Sequence, residues 1–500
     1  MAYKLMIQGT MSSAGKSFIV TALCRIFSEM GYKTAPFKSQ NMALNSGVTF
    51  DGYEMGRAQI VQAEACKSVP DVRMNPILLK PNSDTGSQVI VMGKSTGNMS
   101  AKEYYQYKTE LIPVIKEAFS SLEKEYDVII IEGAGSPAEI NLKENDIVNM
   151  GLAKMLNVPV LLVGDIDLGG VFAQLLGTLE WLEDDERKLI KGLIINKFRG
   201  DVSLLSPGIK MLEKKTGKDV IGVVPYSSAQ IDEEDSVTRS FNNREDDTYD
   251  IEIYVIRLPH MSNFTDFTPL ERVNKVHVRY ISDIPEKLAD MLIIPGTKNT
   301  ISDLVWMRKN GLYSYIKEIS KSVPIMGICG GYQMLGNKVL DPNHIETVMS
   351  YITESGVLEK SETGISGLSL LNTVTTIDEE KTLKRSSGVI SEQKGFFKCL
   401  NEKKYEGYEI HCGITDMYDG ETLNSNDNAF GTYVHGFFDK AEITESLINA
   451  LRELKHLEPI QEDIADYMDI KDKEYSIAAE ALRSSINMKK IMSIMGIENE

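Results

Sequence analysis

The chain has 500 residues and a mass of 55.8 kDa, a length that suggests about three domains or two large ones. Its 54 basic and 72 acidic residues give a formal net charge of −18, which argues against a nucleic-acid binder because such proteins present basic surface to phosphates. Hydrophobic residues make up 42% and charged residues 25%, so the chain is expected to be globular rather than disordered.

Cysteine usage and hydropathy favour a cytoplasmic protein. The five cysteines are widely spaced and form no CxxC pair, so neither a disulfide framework nor a zinc knuckle is expected. Mean hydropathy is −0.18, and no apolar run approaches the roughly 18 residues that a membrane span requires. The N-terminal sequence becomes polar too early for a signal peptide. We therefore predict a reduced, cytoplasmic protein without membrane insertion.

The first half of the chain alternates apolar, strand-like runs with helical stretches. Each run is continuously apolar, which is typical of parallel strands that are covered on both faces. A helix is predicted from Lys16 to Met30, where apolar residues recur at helical spacing before Gly31. This alternation predicts an α/β domain built on a phosphate-loop-like parallel sheet. The predicted strands are Tyr3–Ile7, Val128–Ile131, Val158–Val163, Leu193–Ile195 and Val220–Val224.

A candidate phosphate loop, QGTMSSAGKS, occupies Gln8–Ser17 between the first strand and the first helix. Small residues allow the backbone to wrap around an oxyanion, and the helix N-terminus directs its N–H groups towards it. Lys16 would neutralise the outer phosphates, and the Ser17 hydroxyl would bind Mg²⁺. Five residues rather than the usual four separate Gly9 from Gly15, but the strand–loop–helix context still predicts an ATP site. The predicted ATP-binding residues are Gly9, Thr10, Ser12, Ser13, Gly15, Lys16, Ser17 and Asn196.

Two polar residues end other strands of this predicted sheet. Glu132 follows the buried strand in YDVIIIEGAGSP, where a carboxylate lies beside the phosphates in an open α/β sheet and can bind Mg²⁺. Asn196 ends the strand in LIINKFRGD, where a side-chain amide can read a nucleotide base, although Asn-Lys is also common turn chemistry. Both residues are therefore candidates for the same nucleotide site.

An acidic stretch with few apolar residues, 231–250, is predicted to be a solvated linker between two α/β halves. A second α/β pattern begins at Ile251–Pro259 and continues through Asp290–Gly296 and Val323–Gly331. Near the end of the chain, Ile477–Met495 has the pattern of an amphipathic helix. The predicted regions are 1–230 (ATP-dependent domain), 231–250 (linker), 251–450 (second α/β domain) and 451–500 (C-terminal helical segment).

A sharp turn in VPIMGICGGYQML carries Cys329 between a predicted strand and a predicted helix. Small neighbours permit the strained backbone of a nucleophile elbow, and the following helix N-terminus favours the thiolate form. The Gly330 N–H is placed to stabilise a tetrahedral oxyanion. Cys24, Cys66 and Cys399 lack this context and are expected to be ordinary small hydrophobic residues. We predict that Cys329 is a nucleophile.

A cysteine nucleophile needs a base, and the chain has six histidines. His435 lies in AFGTYVHGFF, an apolar strand that ends at Gly436, where side chains face a site. His411 lies in GYEIHCG beside Glu409 and is the alternative. Either residue could also be a satisfied core histidine. We favour His435 as the base.

Together, these motifs resemble two known domain types. The Cys329 elbow, LIIPGTKNT and GTYVHGFF resemble a class I glutamine amidotransferase domain, whereas QGTMSSAGKS and EGAGSP resemble the dethiobiotin-synthetase-like ATP domain. That order of domains occurs in the cobyric acid synthase and cobyrinic acid a,c-diamide synthase families. The segments that resemble the former, spread over almost the whole chain, are SQNMALNS, EMGRAQ, MNPILLKP, EGAGSPAEINL, VGDIDLGGVFA, LPHMSNFTDFTPL and GYEIHCG.

The resemblance implies a carbon–nitrogen ligase that uses glutamine as the nitrogen donor. Cobyric acid synthases amidate the b, d, e and g carboxylates of adenosylcobyrinic acid a,c-diamide in cobalamin biosynthesis, with ATP, Mg²⁺ and L-glutamine. Cys329 would form a thioester and release ammonia, His435 would move the protons, and ATP would convert each carboxylate into a mixed anhydride. The implied partners are small molecules, and the oligomeric state stays open, a homo-oligomer included.

Two alternatives remain open from the sequence. Synthesis of the a,c-diamide from cobyrinic acid uses the same two domains, and only the family-like substrate segments argue against it. A ParA-like ATPase switch fused to an inactive amidotransferase-like binding module belongs to another functional class, and the intact Cys329 and His435 argue against it. Glutaminase activity that depends on Cys329 discriminates between an enzyme and such a switch.

The resemblance also implies roles for individual residues. Gly296 and Gly330 would be the oxyanion-hole donors, and Glu54 would join Ser17 and Glu132 as a Mg²⁺ ligand. Other polar residues in family-like segments would meet the acidic corrinoid, although ordinary loop polarity explains them equally well. These predicted substrate residues are Lys38, Gln40, Asn41, Asn45, Arg57 and Lys80.

Two departures from the family patterns matter. Many class I glutaminases have a glutamate two residues after the histidine, but this position is Phe437, so we predict a Cys–His dyad. The GDID segment usually continues with arginine, but here it continues with Leu168, so another cation must replace any phosphate or substrate contact of that arginine. Asp165 and Asp167 of the same segment could order the site or bind metal, and the sequence does not separate these roles.

Overall fold

The computed structural model describes residues 2–83, 86–232, 249–346, 351–352, 358–359, 364–416 and 423–498. The chain divides into two compact units, one of residues 1–43, 54–234 and 471–500, the other of residues 44–53 and 235–470. This division departs from the predicted boundaries at two places. Residues 44–53 belong to the second unit, and the predicted C-terminal segment 451–500 is divided, with residues up to 470 in the second unit and residues 471–500 in the first. Of the predicted acidic linker, residues 233–248 lie outside the described residues.

Six parallel strands form the central sheet of the first unit, which confirms the predicted fold class. The apolar run Val128–Ile131 is fully buried, as expected for a strand that is covered on both faces. Sequence analysis missed the edge strand Thr34–Phe37, which is short and contains Pro36, a residue that sheets tolerate at their edges. In sheet order the strands are Val220–Pro225, Ile190–Phe198, Val160–Asp165, Tyr3–Gly9, Val128–Glu132 and Thr34–Phe37.

Helices and a small second sheet complete the first unit. The predicted helix after the phosphate loop is confirmed as Lys16–Glu29, and the chain leaves it through Gly31 in the left-handed region. The four-stranded second sheet consists of Gln40–Met42, Ile77–Ser83, Gly86–Val91 and Lys94–Ser100. The other helices before the linker are Arg57–Ala65, Ala101–Tyr107, Ile112–Glu125, Met150–Leu156, Val171–Trp181, Asp184–Leu189 and Ser206–Thr216.

The prediction of one continuous C-terminal helix over Ile477–Met495 is wrong. The structure has two helices there, Tyr467–Arg483 and Met488–Met495. Between them, buried Ile486 forms an isolated bridge with Gly222 of the first unit's sheet. The Asn487 side chain then accepts a hydrogen bond from the Lys490 N–H and caps the second helix. Packing against the sheet and this cap interrupt the helical pattern.

The second unit is built on two sheets. Its central sheet has five parallel strands and one antiparallel edge strand, in the order Val276–Ile281, Ile251–Ile256, Met291–Ile294, Ile325–Ile328, Ala429–Thr432 and Leu423–Asn426. The other sheet has the order Gly364–Ser366, Lys338–Leu340, Val374–Val389, Lys404–Thr415 and Val434–His435. The α-helices before the C-terminal pair are Thr268–Glu271, Thr300–Lys309, Leu312–Ile319, Gly330–Leu335 and Ala441–Leu454. Short strands at Ser46–Val48, Tyr351–Ile352 and Leu358–Glu359 add to the unit.

A helix that crosses a bilayer needs about 20 predominantly apolar residues. Among the described residues, no helix is both long enough and apolar enough to cross a membrane. The continuous apolar strands of both units are instead covered by helices, and their side chains form the cores. In each central sheet the polar site residues follow the carboxyl ends of such buried strands.

Candidate active sites

The predicted phosphate loop joins the strand Tyr3–Gly9 to the helix Lys16–Glu29. Gly15 has φ 96°, a left-handed conformation that lets the chain turn into the helix without the steric cost of a side chain. The Lys16 ammonium folds back over the loop and donates to the carbonyl oxygens of Met11 and Gly135, each at 3.0 Å. The Lys16 side chain therefore links the loop to the turn that follows Glu132.

Glu132 lies buried at the end of its strand and links the loop to neighbouring polar residues. Its carboxylate accepts hydrogen bonds from Ser17 Oγ at 3.0 Å, from Lys38 Nζ at 3.1 Å and from the Gln62 side-chain amide. Burial raises the pKa of Glu132, but Lys38, Gln62 and Lys16 outweigh burial and hold that pKa below its ordinary value. Glu132 is therefore an ionised carboxylate next to the Ser17 hydroxyl.

The end of the strand Ile190–Phe198, two places from Tyr3–Gly9 in the sheet, also donates hydrogen bonds to the loop. Asn196 Nδ2 donates to the Ala14 carbonyl at 2.9 Å, which places the predicted base-reading residue against the loop backbone. Lys197, which sequence analysis did not select, donates to the Ser13 carbonyl at 2.6 Å and pairs with Asp165 at 2.7 Å. Its φ of 61° is unusual for a lysine and marks a constrained backbone. That positive φ has no signature in the sequence.

The GDID segment gives its two aspartates different surroundings. Asp165 is buried and ion-paired with Lys197, whereas Asp167 pairs with Arg199 at 3.0 Å. Leu168, which stands where the family usually has arginine, is 66% exposed. Lys197 and Arg199, at the end of the adjacent strand Ile190–Phe198, thus pair with the aspartates of the GDID segment, in which Leu168 stands in place of arginine.

The structure brings together only some of the predicted metal and substrate residues. Ser17 and Glu132 are in contact, whereas Glu54 forms a buried ion pair with Lys80 at 2.9 Å. Arg57 pairs with Asp232 at 3.0 Å. The remaining predicted substrate residues are Lys38, paired with Glu132; Gln40, which accepts from Tyr104 Oη; Asn41, which donates to Gln59; and Asn45, which is buried in the second unit.

In the second unit, Cys329 occupies the predicted elbow between the strand Ile325–Ile328 and the helix Gly330–Leu335. Its backbone has φ 52° and ψ −108°, a strained conformation that clusters at functional sites. Its thiol is buried, and Sγ lies 3.5 Å from the carbonyl oxygen of Ile410. The strand-to-helix turn thus has the strained geometry that the small flanking residues predicted.

His435 is fully buried and is held by an acid that sequence analysis missed. Its Nδ1 lies 2.7 Å from Asp266 Oδ2, and the Gly436 N–H donates to the other oxygen at 2.9 Å. The expectation behind the predicted Cys–His dyad, that His435 has no orienting acid, is therefore wrong. Asp266 lies in the short 3₁₀ helix Phe264–Phe267, in the family-like segment LPHMSNFTDFTPL, and only folding brings it to His435.

The surroundings of His435 determine its charge. Burial lowers the pKa of His435, but the Asp266 carboxylate and the hydrogen bond with Cys329 outweigh burial and raise that pKa to about 10. Because Nδ1 faces Asp266, the other ring nitrogen is the one available to Cys329. At neutral pH the ring is therefore an imidazolium between the Asp266 carboxylate and the Cys329 sulfur.

The alternative histidine has a different environment. The His411 ring stacks on Tyr433 with centroids 3.7 Å apart, and its Nδ1 lies 2.7 Å from the Gly413 carbonyl oxygen. Its Nε2 lies 3.4 Å from Glu409 Oε2. Both ring nitrogens of His411 thus face oxygen atoms of its own strand.

The two predicted oxyanion-hole glycines lie beside these residues. A Cβ atom on Gly296 would lie 3.0 Å from His435 Cε1, and one on Gly330 would lie 2.6 Å from Thr297 Cγ2. Sequence analysis missed a further polar group. Thr300 Oγ1 donates to the Gln333 side chain at 2.8 Å, and Gln333 contacts buried Tyr433. The Gly296 backbone is thus placed directly against the imidazole.

Comparison with known proteins covers both units. A family model described as a CobQ/CobB/MinD/ParA nucleotide binding domain matches residues 5–237, and one described as a CobB/CobQ-like glutamine amidotransferase domain matches residues 252–443. A protein named cobyric acid synthase from Lachnoclostridium phytofermentans is 51% identical, with 99% of each chain covered. Proteins of that name from Ruminiclostridium cellulolyticum and Thermoanaerobacter are 50% and 49% identical, covering 100% and 99% of this chain and 98% and 99% of their own. The chain therefore belongs to the cobyric acid synthase family.

Proposed function

We propose that this protein makes cobyric acid by amidating the b, d, e and g carboxylates of adenosylcobyrinic acid a,c-diamide in cobalamin biosynthesis. The reaction class is that of an ATP-dependent glutamine amidotransferase. The observation that carries the proposal is one chain that contains both a phosphate loop backed by Glu132 and a Cys329 elbow backed by His435 and Asp266. Relatives of similar length with the name cobyric acid synthase support it.

Ammonia is released in the second unit. Cys329 Sγ attacks the amide carbon of glutamine as the thiolate, the C–N bond breaks, and the imidazolium of His435 gives its proton to the departing nitrogen. A thioester and ammonia result. Water then attacks the thioester carbon, its proton passes to His435, and glutamate leaves as the Sγ–C bond breaks. Asp266 holds the ring in the required tautomer, as the acid of a catalytic triad does.

Oxyanion stabilisation belongs to the same step. Negative charge develops on the amide oxygen as the tetrahedral intermediate forms, and backbone N–H groups that are aimed at it lower the barrier. The N–H groups of Gly296 and Gly330 are our candidates, because Gly296 lies against His435 and Gly330 directly follows Cys329. Both sit on backbone next to the nucleophile and its histidine.

The carboxylate is activated in the first unit. A carboxylate oxygen of the corrinoid attacks the γ-phosphorus of ATP, and the bond from that phosphorus to the ADP oxygen breaks. Ammonia then attacks the acyl carbon, and phosphate leaves. Lys16 neutralises charge on the transferring phosphoryl group, while the loop N–H groups hold the phosphates. The predicted loop residues Gly9, Thr10, Ser12, Ser13, Gly15 and Asn196 retain their nucleotide-binding role in this proposal.

Mg²⁺ fits the Ser17–Glu132 pair. Both offer the hard oxygen atoms that Mg²⁺ prefers, and Glu132 is ionised. Among the described residues, no three acidic, His or Cys side chains are grouped to hold a metal ion, so phosphate oxygens and water would complete the shell. When bound, the ion neutralises phosphate charge. Glu54 is the weaker candidate because it is paired with Lys80, whereas Glu132 contacts the Ser17 hydroxyl of the loop.

The acidic corrinoid requires cations, and all three predicted cationic substrate residues are buried next to carboxylates. Lys38, Arg57 and Lys80 each have an acidic partner, so a substrate carboxylate would compete with that partner. Gln40, Asn41 and Asn45 remain proposed polar contacts. Lys197 and Arg199 are candidates to replace the cation that is missing at Leu168. We place the enzyme in the cytoplasm, acting on small molecules.

Mass spectrometry of the corrinoid product tests the function. Incubation with the a,c-diamide, ATP and glutamine should give four successive acid-to-amide mass steps. Cobyrinic acid serves as the competing substrate, and two steps on it, with no reaction of the a,c-diamide, would instead assign a,c-diamide synthesis. ATP hydrolysis without glutaminase activity would favour the ATPase-switch alternative.

A further inference from the structure

The flat face of the His435 ring is covered by a tyrosine. The Tyr408 and His435 rings stack with centroids 5.4 Å apart and planes at 25°. The two residues are also register partners in adjacent antiparallel strands, so their backbones are fixed relative to each other. Asp266 fixes the edge of the imidazole through Nδ1. The plane of the catalytic ring is therefore defined by Asp266 at its edge and Tyr408 at its face.

The Tyr408 hydroxyl takes part in a ring of buried hydrogen bonds with Ser46 and Asn263. It donates to the Ser46 carbonyl oxygen at 3.0 Å and accepts from Asn263 Nδ2 at 3.3 Å. Asn263 Oδ1 in turn accepts from the Ser46 N–H at 3.3 Å. All three residues are buried. The orientation of Tyr408 is thus linked to both main-chain groups of Ser46.

Asn263 connects the same set of bonds to Asp266. It has φ 53° and directly precedes the 3₁₀ helix Phe264–Phe267 that carries Asp266. Its carbonyl oxygen accepts the Asp266 N–H at 3.0 Å. One residue therefore contacts the tyrosine through its side chain and starts the turn that presents the acid.

Ser46 lies in residues 44–53, a short segment that belongs to a different unit from the residues on either side of it. Residues 44–53 belong to the second unit, yet the residues on both sides of the segment, Ala43 and Glu54, belong to the first. Within the segment, Val48 packs in an apolar cluster with Tyr408 and Ile410. Residues 44–53 thus contribute to the surroundings of His435, although in sequence they lie between two stretches of the first unit.

We propose that Tyr408 is a positioning residue for His435, and that its hydroxyl makes the orientation of the imidazole depend on the backbone of residues 44–53. The inference rests on the proposed roles of Cys329 and His435. A proton is transferred efficiently only when donor and acceptor are correctly aligned, so a loosened ring slows hydrolysis even when glutamine still binds.

Tyr408→Phe in the full-length enzyme is the direct test, because it keeps the stacked ring and removes only the hydroxyl. Glutamine-dependent kcat should fall about tenfold, the effect expected from losing an orienting hydrogen bond. KM for glutamine and synthesis with free ammonia should stay at the wild-type values. Tyr405→Phe, on the same strand, is the matched control and should leave both activities unchanged.

Asn263→Gly provides an independent second variant. Glycine accepts the positive φ of this position, so the change removes the side-chain amide with little backbone strain. Its kcat should fall to a similar extent, and the double variant with Tyr408→Phe should be no slower than the slower single variant, because both changes break one linkage. A purely structural role would instead raise KM for glutamine together with the fall in kcat, because the whole glutamine site would be disturbed.

Several results would overturn the inference. They are a wild-type kcat in Tyr408→Phe, a raised KM with unchanged kcat, or full additivity in the double variant. Cys329→Ala, assayed in parallel, separates the two levels of the argument. If Cys329→Ala still hydrolyses glutamine, the proposed site itself is wrong. If Cys329→Ala is inactive while Tyr408→Phe is unaffected, only the positioning role is refuted.

Discussion

The phosphate loop and the cysteine site use charge in different ways. In the first unit, two lysines lie near one ionised carboxylate, Glu132: Lys38 is paired with it, and Lys16 donates to backbone carbonyl oxygens close by. In the second unit, one imidazolium, His435, lies between the Asp266 carboxylate and the Cys329 sulfur. We expect the first arrangement to stabilise charge that a substrate brings, and the second to hold a proton ready for transfer. Damage to the two sites should therefore affect the two nitrogen sources differently.

The largest separation is expected from Cys329→Ala. Without the thiol no thioester forms, so glutamine-dependent amidation should fall by about four orders of magnitude or more. Synthesis with free ammonia should persist, because acyl phosphate formation uses only the first unit. Both activities are measured on the same preparation by corrinoid mass spectrometry. Loss of both in a folded variant would contradict the separation of the two sites.

Lys16→Ala should give the opposite pattern. Removing a cation that neutralises the transferring phosphoryl group should lower amidation about a thousandfold with glutamine and with ammonia alike. Glutamine hydrolysis, measured as glutamate release, reports whether the second unit still folds. Near-normal amidation would mean that QGTMSSAGKS is only a structural turn.

His435→Ala tests the assignment of the histidine against His411. Glutamine hydrolysis should fall by about two to four orders of magnitude, because proton transfer to the departing ammonia is lost. His411→Ala is the comparison variant and should cost much less, since its ring stacks on Tyr433 and faces oxygen atoms of its own strand. An essential His411 with a dispensable His435 would reverse our choice.

Asp266→Asn sharpens the comparison further, because it tests whether the second site is a triad or a dyad. The neutral amide does not stabilise the positive charge of the imidazolium, so glutamine-dependent kcat should fall about 10- to 100-fold. The loss should be smaller than in a serine enzyme because sulfur is intrinsically more nucleophilic. Ammonia-dependent synthesis should be unchanged. Wild-type hydrolysis in this variant would restore the dyad.

The smallest expected effect is a pH dependence of stability. The folded-state pKa of His435 is raised from 6.5 to about 10, so the Asp266–His435 pair stabilises the fold fully below pH 6.5. This contribution is lost as the pH rises towards 10. The difference in Tm between wild type and Asp266→Asn, measured by calorimetry, should therefore shrink from pH 6.5 to pH 10. A difference that grows over this range would contradict the charged pair.

Sequence alone determined the parts of this protein that depend on neighbouring residues. The phosphate loop needs small residues, a lysine and a serine in one contiguous stretch, and the structure places Lys16 across that loop. The Cys329 elbow likewise follows from a strand, a run of glycines and a helix. Continuous apolar runs gave the buried parallel strands, because a strand that is covered on both faces has no polar side.

Only the tertiary structure decided which distant groups meet. Asp266 reaches His435 across 169 positions of sequence, and nothing near either residue indicates the pairing. The same holds for Lys197 at the phosphate loop, for the break between the two C-terminal helices, and for the membership of residues 44–53 in the second unit. Periodicity and turn chemistry act over a few residues, whereas these features depend on packing and hydrogen bonds that exist only once the chain is folded.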